Sequence, residues 1–452
     1  MSRPDASAAD VLNRERELAR PGESAPEFDG TGSAGRPPAP LRRLFGAGLI
    51  TGAADDDPSG IATYSQAGAA FGFGLAWTML FTLPLLAAVQ EIAARIGRVT
   101  GRGIAANLAL LLPRPVLVFM IALLAVANIV NLGADLGAMG EALRLVIGGP
   151  AHLYVILFGL GSALAAIFIH YARYVRFLRW LTLALLAYVA TVLAVPVDWS
   201  EVGRHVLVPD IRISSSYLAM VTAVFGTTIA PYLVFWQAAE EVEDLGSAGP
   251  GDLEHDAAAR RREFKRIRLD TWLGIGFSNL VGLLIIIATA ASLHHAGVRN
   301  IVSAEQAAAA LRPLAGNLAF LTFSAGIIGT GLLAVPVLAG SAAYGVGEAL
   351  GRPVGLSRRP REARTFYAVI AAATLIGTAL HFSPIDPMAA LVASAVLNGV
   401  LVVPILAALL VVASSRRIMG SALPSLWLRV TAGLAVLVMA AAAVAMFASW
   451  LG

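Results

Sequence analysis

The chain is a series of long apolar stretches separated by short polar segments. A helix that crosses a bilayer needs about 20 predominantly apolar residues, and eleven stretches from Leu44 onward approach that length. They lie near residues 44–66, 73–94, 115–143, 152–171, 178–196, 217–240, 271–294, 317–345, 366–381, 387–413 and 427–449. Residues 1–40 contain no such stretch and are rich in Pro, Gly, Ala and Ser, which predicts a disordered tail.

The composition agrees with a chain that is surrounded mostly by lipid. Hydrophobic residues make up 58% and charged residues 14% of the 452 residues, whereas soluble domains carry roughly 25% charged residues. The chain has no cysteine, which excludes disulfides and metal sites built on thiolates. We therefore predict an all-α polytopic membrane protein.

The positive charges indicate how the chain is oriented. If the tail is cytoplasmic, 28 of the 33 Lys and Arg residues fall in cytoplasmic segments, as the positive-inside rule requires. Topology explains the basic run 260–266 better than binding of lipid or of a protein partner does, and nucleic acid is not implied. The prediction is a plasma-membrane (cell inner-membrane) protein with a cytoplasmic N-terminus and, after eleven spans, an external C-terminus.

Two of the stretches contain residues that interrupt a helix. The first has three consecutive aspartates, 55–57, followed by Pro58 and Gly60, and the sixth has Pro231 shortly after Gly226. Proline lacks a backbone N–H and clashes with the preceding turn, and a charged side chain that faces lipid costs about 2.5–3.5 kcal/mol. We predict that helices 1 and 6 are broken at the midplane. The alternatives are a packing kink at the proline and an interfacial cap formed by the aspartates.

The two breaks occupy corresponding places in a repeated arrangement. Five stretches begin with the first break and five with the second, and an odd number per set inverts the second set. This predicts a first repeat at 41–200, an inverted repeat at 201–413 and one extra C-terminal helix within 414–452. Interrupted helices at matching positions of inverted repeats indicate an ion or substrate site between them.

At these breaks the chain resembles the Nramp family of divalent-metal transporters, which have the LeuT-type inverted-repeat fold of 5+5 helices. Three further segments are similar to the family: residues 90–105 at the end of span 2, residues 309–316 before span 8, and Ala339 with Gly340 in span 8. The resemblance covers residues 44–413. It implies a divalent cation as the transported substrate, no enzymatic activity and no resident cofactor.

The resemblance also implies a metal site, but with departures from the family pattern. The family's Asp-Pro-Gly-Asn is here Asp57-Pro58-Ser59-Gly60, so the carboxylate is kept and glycine replaces the amide. The family's Met-Pro-His is here Ala230-Pro231-Tyr232, so the thioether and the imidazole are absent. The implied metal-site residues are Asp57, Ala54, Thr227, Gly60 and Ala230, with backbone carbonyls contributed by Ala54 and Thr227.

A site with oxygen ligands and no sulfur favours hard ions. Oxygen suits Mg²⁺, Ca²⁺ and Mn²⁺, and Mg²⁺ usually keeps several waters, for which Gly60 and Ala230 leave room. The pattern resembles the family's magnesium-transporting branch, and we predict Mg²⁺ first, Mn²⁺ second and Fe²⁺ as a further candidate. In the alternative, another helix supplies replacement ligands and the substrate is unchanged. Asp55 and Asp56 could supply them, or could form a solvated entrance.

Other polar residues of the spans are predicted to line the pathway or to support the site. They are Asp56, Gln90, Asn131, Asp135, Tyr232, Gln237 and Asn398. By the resemblance, Asn131 and Ala134 stand where the family has acids, and Asp135 is one position further, about 100° round the helix. Tyr232 does not titrate near neutral pH as histidine does. We therefore predict weak or absent proton coupling.

The sequence leaves two other transport functions open. One is a proton-coupled Mn²⁺/Fe²⁺ symporter of the ordinary Nramp type, and the other is a LeuT-type carrier of amino acids or other organic solutes. Three adjacent acids would repel an anionic substrate, which argues against the carrier. No His-Glu-x-x-His motif or Ser/His pairing indicates an enzyme. The expected partners are the divalent cation and the lipid bilayer.

Overall fold

The computed structural model describes residues 47–169, 186–248, 257–312, 316, 319–384 and 386–451. Within these ranges the regular structure is helical. The α-helices, numbered in chain order, are α1 (Ala47–Asp55), α2 (Pro58–Phe71), α3 (Trp77–Thr100), α4 (Ile104–Leu108), α5 (Arg114–Ile147), α6 (Ala151–Phe168), α7 (Leu186–Ala194), α8 (Trp199–Leu207), α9 (Ser215–Thr228), α10 (Pro231–Ala248), α11 (Ala257–Thr289), α12 (Ala304–Ala309), α13 (Ala319–Ala349), α14 (Arg364–Leu380), α15 (Pro387–Ser414), α16 (Arg416–Met419) and α17 (Leu426–Leu451). The predicted tail, 1–40, and the beginning of the predicted fifth span, 178–185, lie outside the described residues.

Eight helical segments of the described chain are long and apolar enough to cross a membrane. They are Trp77–Thr100, Arg114–Ile147, Ala151–Phe168, Ser215–Leu245, Ala257–His294, Ala319–Ala349, Pro387–Ser414 and Leu426–Trp450. Each overlaps one of the stretches predicted from the sequence. A shorter apolar helix, α14, covers the predicted ninth span with 17 residues. The prediction of an all-α, multi-pass membrane protein is confirmed.

The first predicted span consists of two helices. α1 ends at Asp55 and α2 begins at Pro58, so Asp56 and Asp57 lie between them. The Asp57 carboxylate caps α2 by accepting a hydrogen bond from the Gly60 N–H at 2.7 Å. Because Pro58 has no N–H, it suits the first position of a helix but cannot continue an existing one. The same proline therefore accounts for the end of α1 and the start of α2.

The sixth predicted span also consists of two helices, and the second of them begins at a proline. α9 ends at Thr228 and α10 begins at Pro231, with Ile229 and Ala230 between them. The hydroxyl of Tyr64 in α2 lies 3.1 Å from the hydroxyl of Thr228. The middle of α2 therefore lies beside the end of α9.

Glycines allow the helices around these positions to approach closely. A Cβ atom added at Gly226 of α9 would lie 2.1 Å from the carbonyl oxygen of Ala395 in α15. One added at Gly52 of α1 would lie 2.4 Å from the carbonyl oxygen of Gly274 in α11. Helix interfaces in membranes are enriched in small residues because these let the backbones come together. The contacts hold α1 against α11, and α9 against α15.

We expect Gly226→Ala to destabilise the protein, because the new methyl group would overlap backbone atoms of α15. Overpacking of this kind costs about 1–3 kcal/mol, which should lower the melting temperature of the purified protein. Gly276→Ala is the matched control, since a Cβ atom there meets nothing within 4 Å and alanine favours a helix over glycine. Equal melting temperatures for the two variants would argue against the close approach of α9 and α15.

Candidate metal-ion site

Asp57 lies at the centre of a buried group of polar side chains. Its Oδ1 accepts a hydrogen bond from the Gly60 N–H at 2.7 Å, and its Oδ2 accepts one from Asn131 Nδ2 at 2.9 Å. The Tyr232 hydroxyl lies 3.4 Å from the same Oδ2 and 3.0 Å from the Ala54 carbonyl oxygen. Asp57 is only 1% exposed. The break in span 1 thus brings groups from α5 and α10 to one carboxylate.

Serines from α2 and α15 orient the Asn131 amide. Ser394 Oγ lies 2.7 Å from Asn131 Oδ1, and Ser59 Oγ lies 3.3 Å from Ser394 Oγ. Because the amide oxygen accepts from Ser394, the amide nitrogen is directed at Asp57. A carboxylate offers about four lone-pair sites. Gly60 and Asn131 occupy two of them, and the Tyr232 hydroxyl lies 3.4 Å from Oδ2 but closer, 3.0 Å, to the Ala54 carbonyl oxygen. A cation at Asp57 would use the remaining lone pairs or replace this longer contact.

Asp135 is a second buried carboxylate near Asp57. It lies four residues after Asn131 on α5, and it is 0% exposed. Neither of its oxygens has a hydrogen-bond partner among the described residues. Asp135 lies near enough to Asp57 and to the Ser59 N–H to interact with both electrostatically. None of the ion pairs in the described residues involves Asp57 or Asp135. Two acids with no basic partner among the residues that the structure describes therefore converge at the N-terminus of α2.

Gly60, Thr227 and Ala54, three of the residues expected to contribute carbonyls or space, lie around the same carboxylate. A Cβ atom added at Gly60 would lie 3.4 Å from both Asp57 Oδ1 and Thr227 Oγ1, so Gly60 separates these two groups without filling the space between them. The Ala54 carbonyl contacts the Tyr232 hydroxyl, and a carbonyl oxygen has a second lone pair. Ala230 is fully buried in the linker between α9 and α10.

The other residues predicted to belong to the pathway are buried, and no hydrogen bond joins their side chains to Asp57 among the described residues. Gln237 accepts a hydrogen bond from the Thr51 hydroxyl. Gln90 and the Asn398 side-chain oxygen form no hydrogen bond within the part of the chain that the structure describes. Asp56 is directed at α11, where it contacts Ser278. These four positions remain predictions as parts of the pathway.

The structure corrects the alternative in which Asp55 and Asp56 form a solvated entrance. Asp55 is 0% and Asp56 1% exposed, and both contact the Ser278 hydroxyl. Sequence reasoning did not single out Ser278 or Ser59. Ser59 could have been found, because it lies within the break. A lone serine in an apolar span, such as Ser278, gives no signal of its partner.

A cavity of about 280 Å³ approaches the site from one side. Its lining includes Ala62 of α2, Ala138 of α5 and Leu391 of α15, together with the charged side chains of Glu141 and Arg144. The Leu391 carbonyl accepts a hydrogen bond from Ser59 at 3.2 Å. The cavity therefore ends close to the Ser59–Asn131–Asp57 group.

A sequence profile of the family described as Nramp, natural resistance-associated macrophage protein-like, matches residues 48–449. The chain belongs to the Nramp family. This Nramp chain is 26% identical over 303 residues to the divalent metal cation transporter MntH of Yersinia pestis (strain Pestoides F), covering 65% of this chain and 70% of that protein. It is 27% identical over 310 residues to MntH of Acidiphilium cryptum (strain JF-5), covering 64% and 65%.

Solved transporters share the fold of this Nramp chain. A crystal structure of the Eremococcus coleocola manganese transporter matches with a TM-score of 0.71 at 16% identity, covering 95% of this chain and 92% of that one. Mhp1, a nucleobase-cation-symport-1 family transporter, matches in a closed conformation with a TM-score of 0.58 at 15% identity, covering 89% and 90%. At these identities the likeness concerns the fold alone. Family membership confirms the resemblance seen in the sequence and identifies a metal-ion transporter rather than an enzyme.

Proposed function

We propose that this chain is a secondary transporter that moves divalent metal cations across the membrane by alternating access. The observation that carries the proposal is the pair of buried carboxylates, Asp57 and Asp135, which converge on the N-terminus of α2 without a basic partner among the described residues. An uncompensated ion in a protein interior costs several kcal/mol. A divalent cation would neutralise both acids at once.

The architecture that fits this function is a LeuT-type fold with eleven spans. Helices 1 and 6 are broken at the midplane, where α1 meets α2 and α9 meets α10. The first repeat covers 41–200, the inverted repeat 201–413, and the extra helix lies within 414–452. The ends of half-helices in such repeats bind ions between them, which supports a site at Asp57. The distribution of Lys and Arg supports a cytoplasmic N-terminus and an external C-terminus in the plasma membrane.

The ion that fits these groups best is partly hydrated Mg²⁺, followed by Mn²⁺. The available donors are carboxylates and the Ala54 and Thr227 carbonyls, all of them oxygen, and hard ions prefer oxygen. Gly60 and Ala230 contribute no side-chain donor and leave space that waters of a hydrated ion can fill, as Mg²⁺ prefers. The cavity lined by Leu391 lies on the side from which, in this proposal, a hydrated ion approaches the Asp57 group.

Transport in this proposal moves few or no protons. The groups that hydrogen-bond to Asp57 are the Asn131 amide, the Tyr232 phenol and the Gly60 N–H, none of which exchanges a proton near neutral pH. Asp135 is the remaining titratable group beside Asp57, and it is therefore the first residue to test for proton coupling. Uptake is then driven by the cation gradient and the membrane potential. The proposal thereby differs from a proton-coupled Mn²⁺/Fe²⁺ symporter.

We expect Mn²⁺ uptake into proteoliposomes that contain an entrapped pH dye to leave the internal pH nearly unchanged. The membrane potential should be clamped with K⁺ and valinomycin, so that charge movement does not drive protons through leaks. Liposomes without protein give the background. Acidification in a fixed ratio to the Mn²⁺ that enters would overturn this part of the proposal. In that case Asp135→Asn, which removes the second buried acid, should be the first variant measured.

A further inference from the structure

The break in span 1 directs its acids to two different sides. Asp57 faces Asn131 and Tyr232, as described above. Asp55 and Asp56 instead face α11, where Ser278 Oγ lies 2.6 Å from Asp55 Oδ2 and 3.1 Å from Asp56 Oδ1. Both carboxylates are buried. The three consecutive aspartates therefore form two separate groups, one on each side of the break.

The contacts on the α11 side leave negative charge without compensation. A serine hydroxyl has one hydrogen, so Ser278 can donate to only one of the two carboxylates at a time. The other oxygen of Asp55, Oδ1, is buried and has no hydrogen-bond partner in the described residues. None of the ion pairs found there involves Asp55 or Asp56. A buried carboxylate oxygen that accepts no hydrogen bond from the described residues keeps its lone pairs for a cation.

The end of α1 adds to the attraction for a cation. α1 ends at Asp55, and the last carbonyls of a helix lack partners within the helix and carry partial negative charge. Half-helix C-terminal ends coordinate cations in transporters with interrupted helices. The donors are all oxygen, which selects hard ions. Their formal charge of two favours a divalent ion over a monovalent one.

The position of these groups is fixed by the packing of α1 on α11. A Cβ atom at Gly52 would overlap the Gly274 carbonyl, so the two backbones are in contact one turn before Asp55. The Gly48 N–H donates to Asp270 Oδ2 at 2.6 Å, which ties the start of α1 to the same helix. The carboxylates and Ser278 are therefore held together by contacts that do not depend on a bound ion.

We propose that Asp55, Asp56 and Ser278 form a second binding site for a hard divalent cation, on the α11 side of the break. The inference rests on the proposed function for the class of ion, but not on Asp57 as its ligand. A second site beside the first would give an ion that leaves Asp57 a neighbouring position to occupy. Conduction through several moderately strong sites is easier than release from one tight site.

The test is Mn²⁺ binding to the purified full-length protein, measured by equilibrium dialysis. Wild type should bind two Mn²⁺ ions per chain, and Asp57→Asn should bind one. Adding Asp55→Asn and Asp56→Asn to the Asp57→Asn chain should abolish that binding, and the same pair alone should reduce wild type from two ions to one. Excess Mg²⁺ should displace the ion that remains in Asp57→Asn, whereas Na⁺ should not.

Ser278→Ala provides a milder variant in case the aspartate variants fold poorly. In the Asp57→Asn background it should weaken the remaining site about tenfold or more, as loss of a supporting polar group does at metal sites. Ser292→Ala is the matched control, because Ser292 lies in the π-helical turn Ala290–His294 after α11, where its hydroxyl donates to the Ala288 carbonyl at 2.6 Å. It should leave the affinity unchanged.

The outcomes separate the second site from the proposed function. Suppose that the wild-type protein binds one ion, that Asp57→Asn abolishes this binding, and that Asp55→Asn with Asp56→Asn leaves it intact. This result would overturn the second site and preserve the proposed function. If Asp57→Asn leaves binding unaltered and Asp55→Asn with Asp56→Asn abolishes it, the site at Asp55 and Asp56 is supported and the proposed role of Asp57 is refuted. Equal affinities for Ser278→Ala and Ser292→Ala, or displacement by Na⁺, would also refute the divalent site at Asp55 and Asp56.

Discussion

Replacing Asp57 with asparagine is expected to abolish divalent-cation uptake while the protein remains folded and inserted. Asp57 is the carboxylate on which Asn131, Tyr232 and the Gly60 N–H converge, and the variant removes its charge but keeps its shape. Because asparagine caps helices about as well as aspartate, α2 should still begin at Pro58. Loss of a residue that only hydrogen-bonds to a metal ligand lowers metal affinity about 10–100-fold. Because Asp57 is the proposed ligand itself, we expect the cation affinity of this site to fall by at least about 100-fold.

Asp198→Asn is the matched control for this variant. Asp198 is exposed, caps α8 by accepting from the N–H groups of Ser200 and Glu201, and is remote in sequence from both breaks. The same chemical change there should leave uptake at the wild-type rate. Wild-type uptake by Asp57→Asn would refute the assignment of the site, whereas a defect in both variants would indicate a general effect of lost negative charge.

Replacing Ala230 with methionine is expected to shift the preference of the protein toward soft ions. Ala230 lies fully buried between α9 and α10, at the position where the family has a thioether. Thioether sulfur favours later, softer metals over Mg²⁺. We expect the Cd²⁺ affinity of the purified variant to rise roughly tenfold, equivalent to about 1.4 kcal/mol, while Mg²⁺ competes less well.

Ala230→Leu distinguishes the effect of the methionine sulfur from the effect of a larger side chain. Leucine and methionine have similar volumes, so both variants fill the same space and displace the same waters. Only methionine should gain affinity for Cd²⁺, as measured by calorimetric titration. If the two variants bind Cd²⁺ equally well, position 230 does not face the ion, and the interpretation of its missing thioether is wrong.

The positions where helices end near the breaks could be predicted because their causes are local. Pro58 and Pro231 each stop a helix and begin another through their own covalent structure, and both stand at the start of a helix here. The directions of the aspartates could not be predicted in the same way. Asp56 and Asp57 lie on a non-helical segment, whose side chains follow no period. Only the packing of α1 on α11 shows that Asp56 and Asp55, the last residue of α1, both turn toward Ser278.

The place of Asp135 was also only partly predictable. A helical stripe links Asn131 and Asp135 because they are four residues apart, and both are buried. Its closeness to Asp57 depends on the rotation of α5 about its own axis. That rotation is set by contacts with α13, α14 and α15. An alignment to the family pattern does not reveal how α5 is rotated about its axis.

Helix lengths were underestimated where a helix continues beyond the apolar stretch. The prediction began the seventh span at residue 271, whereas α11 begins at Ala257. Its first turns are basic and lie outside the hydrophobic pattern, but Arg266 pairs with Glu241 of α10 at 2.6 Å and with Glu263 at 3.0 Å. Hydropathy detects the part of a helix that suits lipid and misses the part held by ion pairs.

The central claim is that the site around Asp57 transports a hard divalent cation. The most direct test is Mg²⁺ uptake into proteoliposomes that contain an entrapped Mg²⁺ indicator, with Asp57→Asn in parallel and Cd²⁺ as the competitor. We predict saturable Mg²⁺ uptake by the wild-type protein, none by the variant, and inhibition by Mn²⁺ at lower concentrations than by Cd²⁺. Absence of Mg²⁺ uptake from a protein that transports Cd²⁺ through the same site would contradict the claim.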